Sequence, residues 1–151
     1  MNNLECKKAI RQGFADRYVD GEIKKCEYNT PFYDFHIDGN SLYNRFKSYD
    51  FISALSHSDE QLQRNEFDKL LLNAPSELES GRYMLFVCPM CADLGCGAIT
   101  VSIQREEELA VWKDFRCEDG ENSTSIHLGP FKFEWPKYEK TILSAVLEEE
   151  A

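Results

Sequence analysis

Apolar positions change their rhythm near Gly81. Upstream they recur mostly at helical spacing. Cys6, Ile10 and Phe14 stand four apart, and Asn2 with Glu5 has capping-box spacing, which predicts a short helix over residues 2 to 15. Arg17 to Val19 and Glu22 to Tyr28 read as two weak strands around an Asp20-Gly21 turn. Pro31 leads into the aromatic-rich run Phe32 to Ile37, which ends at Asp38-Gly39 and predicts an edge strand or extended arm. Asn40 is placed to cap a helix through Lys47 with Leu42, Tyr43 and Phe46 on one face, continued by Phe51, Ile52 and Leu55 as a further turn or two. Ser58 and Gln61 again have capping-box spacing, so a helix begins there, lines its inner side with Leu62, Glu66, Phe67, Leu70 and Leu71, and stops before Pro75.

Beyond Gly81 the period is that of strands: Tyr83 to Cys88, Ala98 to Gln104, Leu109 to Phe115 and Pro130 to Trp135. In the second, Ile99, Val101 and Ile103 alternate with Thr100, Ser102 and Gln104, giving one dry and one wet face. Arg105 to Glu108 is a solvated hairpin tip, and Glu118 to Ser125 an exposed, mobile loop. After Pro136 a final helix aligns Tyr138, Ile142, Ala145 and Val146 on one stripe, and its terminal Glu148 to Glu150 are expected to fray. The pattern predicts an α+β fold as a single domain over residues 1 to 151. An antiparallel β-meander of at least four strands within residues 82 to 135 is covered by helices of the N-terminal half and by the C-terminal helix.

Composition supports a packed core, at 42% hydrophobic and 13% aromatic residues. The net charge of −10 sets the exterior against nucleic acid and anionic membranes and toward a basic protein partner. The Met1-Asn-Asn-Leu-Glu-Cys start lacks the apolar core of a secretory signal, so the expected location is cytoplasmic, with the six cysteines reduced as thiols or metal ligands.

Cys88-Pro-Met-Cys91 has the spacing of a zinc knuckle, and Cys96 offers a third sulfur. No second pair follows. Zinc is therefore the lesser reading of Cys88, Cys91 and Cys96 beside ordinary turn cysteines. His36, His57 and His127 lie in unrelated contexts, and Glu106 to Glu108 see bulk water, so neither group supplies acid-base chemistry. The remaining candidate is a docking surface in which Asp114, Glu118, Asp119 and Glu121 surround Trp112, with Phe115 beside it.

Three stretches carry a resemblance. Tyr83 to Ala98 with its Cys-Pro-x-Cys-x-Asp-Leu-Gly-Cys-Gly-Ala pattern, Val111-Trp112-Lys113-Asp114-Phe115, and Gly129-Pro130-Phe131-x-Phe133 with Tyr138 resemble a group of small uncharacterised bacterial proteins. The similarity extends through Ile37-Asp38-Gly39-x-Ser41-Leu42 and spans Tyr33 to Leu143. It implies no established activity. This chain departs from the group's pattern at Ala92, where glycine is usual, and at Cys117, where cysteine is not. By type alone, a small acidic α+β chain without catalytic groups is similar to the immunity proteins of bacterial toxin systems. The expected function is a non-enzymatic binding protein that neutralises a cognate toxin, a basic nuclease domain being the leading example, by occluding its active site. The alternative is a small thiol- or zinc-dependent enzyme centred on Cys88, Cys91 and Cys96.

Overall fold

The structure is a computed structural model and describes residues 1–90 and 94–150. Its strands are β1 (Leu4–Arg11), β2 (Phe14–Val19), β3 (Glu22–Glu27), β4 (Thr30–Ile37), β5 (Asn40–Ser41), β6 (Ile52–Ser53), β7 (Tyr83–Val87), β8 (Ala98–Glu106), β9 (Leu109–Glu118), β10 (Ser123–Ser125) and β11 (Phe131–Glu134). Its helices are α1 (Leu42–Arg45), α2 (Glu60–Leu70) and α3 (Trp135–Glu150). The fold is α+β. One antiparallel sheet runs β10-β9-β8-β7-β6, with β11 also on β9, a second runs β1-β4-β5, and β2-β3 is a two-stranded ribbon. No helix among the described residues is long and apolar enough to cross a membrane.

The meander read from the sequence is present: alternation over Ala98–Glu106 turns Ile99, Val101 and Ile103 to the core. A bulge in β9 at Asp114, with φ 55°, between the pairs Thr100↔Arg116 and Ser102↔Lys113, brings Trp112 and Phe115, three apart, to the same core. The two larger sheets meet through aromatic edges. Phe35 of β4 lies 5.4 Å from Trp112 of β9, and Trp112 lies 5.4 Å from Phe133 of β11. Phe67 of α2 and Ile142, Ala145 and Val146 of α3 close the same core.

Several expectations are corrected. Residues 4 to 11 are a strand, paired with β4 from Leu4↔Ile37 to Arg11↔Thr30. Phe32 to Ile37 is therefore central to its sheet, between β1 and β5, and no edge. Ile52 and Ser53 pair with Val87 and Phe86 as a strand instead of prolonging a helix. Ser41, not Asn40, caps α1, its Oγ accepting from Asn44 N at 3.0 Å. Asp59, not Ser58, caps α2, accepting from Gln61 N and Leu62 N at 2.9 and 3.0 Å. The loop expected at 118 to 125 is a tight hairpin, with Asp119 Oδ1 accepting from Glu121 N and Asn122 N and β10 returning along β9. Helix α3 persists through Glu150, where Lys8 pairs with Glu148 at 3.4 Å and Arg64 with Glu150 at 3.3 Å.

Candidate protein-binding surface

Strands β1 and β2 run out from the body, and β3 and β4 return in the same register. Arg11 faces Thr30 and Phe14 faces Glu27, with two residues on each side of the gap and Tyr28 N donating to Gly13 O at 2.7 Å across it. Asp20 and Gly21 turn the chain, both with positive φ, at 51° and 77°, as a two-residue hairpin matched to strand twist demands. Because neither side carries an inserted residue, the alternation of side chains passes unbroken from body to tip. Leu4, Cys6, Ile10, Phe14 and Tyr18 share one face with Ile37, Phe35, Tyr33 and Ile23.

At the root that face is core: Leu4, Tyr33, Phe35 and Ile37 are buried. At the tip it is bare. Ile10 is 62% exposed, Phe14 67%, Tyr18 76% and Ile23 66%. Asp16 and Lys25 face each other across the strands, and Lys25 Nζ stands 5.7 Å above the Phe14 ring. A solitary two-stranded ribbon is marginal in water, so the tip gains little from its own side chains. Beside the root lies a groove of about 540 Å³ lined by Lys8, Ile10, Tyr33, Leu55, His57 and Glu149. The Tyr33 hydroxyl donates to Glu149 across it at 3.1 Å, and burial pushes the Tyr33 phenol up from its ordinary value, with Glu149 adding to the rise.

The residues expected to form a docking surface around Trp112 do not form one. Trp112 is 0% exposed, its ring packed on Phe35, Phe133 and Tyr138, because β9 is covered on this side by the second sheet and α3. Phe115 is likewise buried. Asp114 is held by Arg82 at 2.9 Å and by Arg116 at 3.1 Å. Glu118 accepts from the Thr100 hydroxyl at 2.6 Å and lies 3.7 Å from Arg82. Asp119 is spent on its turn, whose backbone N–H groups of Asn122 and Glu121 hold its carboxyl below the usual value. Glu121 is exposed, and among the described residues no ion pair or side-chain hydrogen bond engages its carboxylate; a lone exposed carboxylate is a weak anchor.

Of the three cysteines considered as zinc ligands, Cys91 lies outside the described residues. Cys96 is disulfide-bonded, which corrects the expectation of reduced cysteines there and removes a thiolate from the ligand set. Cys88 is a free, half-buried thiol. Cys117 is also free, and burial, then Asp119 and Glu118, push its thiol up. Among the described residues no group of three or more His, Cys, Asp or Glu side chains converges as a metal site.

Two polar clusters were not read from the sequence. Buried Asp34 accepts from Ser41 Oγ at 2.5 Å and from Tyr43 N at 3.0 Å, with His36 Nε2 3.3 Å away. Serine and histidine both address the carboxylate and not each other, so the trio lacks the base-to-nucleophile contact of a catalytic triad and ties β4 to α1. On α2, Lys69 Nζ bridges Glu66 at 3.0 Å and Glu77 at 3.2 Å, with His57 3.9 Å from Glu66. Burial raises the Glu66 carboxyl despite Lys69 beside it. Nothing in sequence spacing marked Phe14, Tyr18 and Ile23 as a surface, since exposure is decided by what packs over the ribbon. Comparison with protein-family models, curated proteins and solved structures found no match to this chain.

Proposed function

We propose that the chain is a non-enzymatic binding protein that neutralises a cationic partner, such as a toxin's nuclease domain, by inserting the β2-β3 ribbon into the partner's cleft. One observation carries the reading: the apolar face that forms the core at Leu4 and Phe35 continues past the body and exposes Ile10, Phe14, Tyr18 and Ile23. Exposed large apolar side chains gathered on one projecting element mark an interaction site, and aromatics are the usual anchors of such sites.

Charge fits the same reading. Residues 1 to 28 hold six basic and five acidic side chains, whereas the rest of the chain holds 11 basic and 22 acidic ones. The ribbon is thus a nearly neutral insert on an acidic body. An apolar ribbon on an acidic body suits a partner whose cleft is apolar inside and basic at its rim. A strand pair of six residues reaches about 20 Å, enough to enter an enzyme cleft.

The test is to co-express the chain with its candidate toxin and to measure complex formation by the wild type and by Phe14→Ser/Tyr18→Ser. The wild type retains a cationic partner and suppresses its activity, with association slowing as salt rises, and the variant loses roughly 100-fold in affinity. A partner held equally by both proteins, or one whose activity is untouched in the complex, refutes the proposal.

A further inference from the structure

Gln63 stands in the first half of α2 and is 3% exposed. Its Oε1 accepts from His57 N at 3.0 Å, which fixes the amide: the oxygen faces the loop before α2 and the NH2 group faces away from it. Among the described residues that NH2 group donates to nothing. It is not sealed in either, since Thr30 Oγ1 is the one buried side-chain nitrogen or oxygen among them that lacks a partner. The space beside it is the groove of about 540 Å³ along β1 and β4, within the size of small-ligand sites, about 300–1,000 Å³.

Glu149 is the uncompensated charge of that groove. Lys8, on the same wall, is matched by Glu148 at 3.4 Å. Glu149 Oε2 accepts from the Tyr33 hydroxyl at 3.1 Å, a neutral donor that orients the carboxylate and leaves its charge in place. Among the described residues its Oε1 has no partner and no ion pair reaches it. Glu149 and Gln63 also line an adjoining recess of about 50 Å³, so an anionic acceptor and an open N–H donor stand side by side. Next to them the groove is apolar along Ile10, Pro31 and Leu55.

We infer that this groove binds a free α-amino group together with the carbonyl next to it. The ammonium sits on Glu149, the carbonyl oxygen accepts from the Gln63 NH2 group, and an apolar side chain covers Ile10, Pro31 and Leu55. Amino acid amides and the N-termini of peptides have that chemistry. A carboxylate in place of the amide is the poorer ligand, because it meets the like charge of Glu149, and a purely apolar molecule leaves both polar groups unmade. The site is independent of the ribbon tip, since neither Phe14 nor Tyr18 lines it.

The probes are leucinamide and trileucine amide, titrated calorimetrically at pH 7, where an α-amine with a pKa of about 7.7–8.0 is mostly protonated. N-acetyl-leucinamide removes the charge and keeps the rest. 3-Methylbutylamine keeps the charge and the side chain and lacks the carbonyl. Leucinamide binds saturably at one site, and each control binds about fivefold more weakly or worse. Glu149→Gln, an exposed substitution whose fold is checked by circular dichroism, weakens leucinamide by a similar factor. Tighter binding of trileucine amide assigns the groove to peptide N-termini, and equal or weaker binding assigns it to the small amide. No saturable binding of either probe, a control that matches leucinamide, or indifference to Glu149→Gln overturns the inference. So does loss of leucinamide binding in Phe14→Ser/Tyr18→Ser, which would move the site to the ribbon. The reading of the ribbon makes no use of this groove, so either can fail while the other stands.

Discussion

Trp112 Nε1 donates to the Tyr138 hydroxyl at 3.2 Å, and that hydroxyl donates onward to Leu70 O at 2.5 Å. Three elements are joined by one oxygen: β9 through the indole, α3 through the phenol, and the end of α2 through its carbonyl. Buried polar groups are costly unless paired, and here each is paired only through Tyr138 in this relay. Burial raises the phenol pKa, so it stays a donor throughout the working range.

Tyr138→Phe keeps the ring, stacked at 5.7 Å on Phe133, and strands both the indole N–H and the Leu70 carbonyl. The expected loss is about 1–3 kcal/mol of stability, read as a lower denaturation midpoint at unchanged slope. An unchanged midpoint would show that the relay contributes nothing.

Thr30→Val is expected to act in the opposite sense. Thr30 Oγ1 is buried and finds no hydrogen-bond partner among the described residues, so its desolvation is not offset. Valine keeps the shape and the strand preference of the site while removing that oxygen. Stability should rise by about 1 kcal/mol, measured by urea unfolding. A loss of stability would mean that the hydroxyl is satisfied.

The legibility of the chain follows from how many structures share a given spacing. Ile99, Val101 and Ile103 alternate with polar residues, Leu109 to Phe115 is an apolar, β-rich run, and polar capping residues precede an apolar stripe at Ser58-Asp59, so the meander and α2 are readable. Cys6, Ile10 and Phe14 are not. A spacing of four fits one face of a helix and also every second position on one face of a strand, and the chain resolves this only by pairing with β4, a contact across the chain from Leu4 to Ile37. Asn2 strengthened the wrong reading, since its side chain resembles a helix cap but donates to Asp38 Oδ2 at 2.7 Å and pins the strand start to the β4-β5 turn. Trp112 beside acids looks alike in sequence whether it anchors a partner or fills a core. The difference is the second sheet, which no local pattern announces.

Asp50 and Arg11 join the ribbon's root to the turn after α1 through two hydrogen bonds, of 2.9 and 2.7 Å. The hydrogen bonds from Arg11 hold the Asp50 carboxyl below its ordinary 3.8. A depressed carboxylate contributes stability that is full above pH 3.8 and fades as pH falls through the lowered value. Asp50→Asn should therefore cost under about 1 kcal/mol at neutral pH, the carboxylate being 65% exposed although the Arg11 side chain is only 15% exposed, and the two proteins should converge in acid. A gap that persists or widens in acid would contradict the assignment.

Cys6 differs from the other thiols. Burial, then the charges of Asp34 and Glu148, push it up to about 12, so almost no thiolate exists near neutrality. Iodoacetamide at pH 8 should label Cys88 in the folded protein and leave Cys6 intact until denaturant is added, as mass spectrometry of tryptic peptides will report. Early labelling of Cys6 would show that α3 does not shield it.

The β2-β3 ribbon has an unpaired edge on each side, since among the described residues neither strand has a further neighbour. Such an element invites zippering between molecules wherever it is apolar and flat. Arg17 directly opposite Lys24, and Asp16 opposite Lys25, interrupt its midpoint with charge on both faces. These four charges act as gatekeepers against edge-to-edge pairing, so neutralising them should produce aggregates from a chain that still folds.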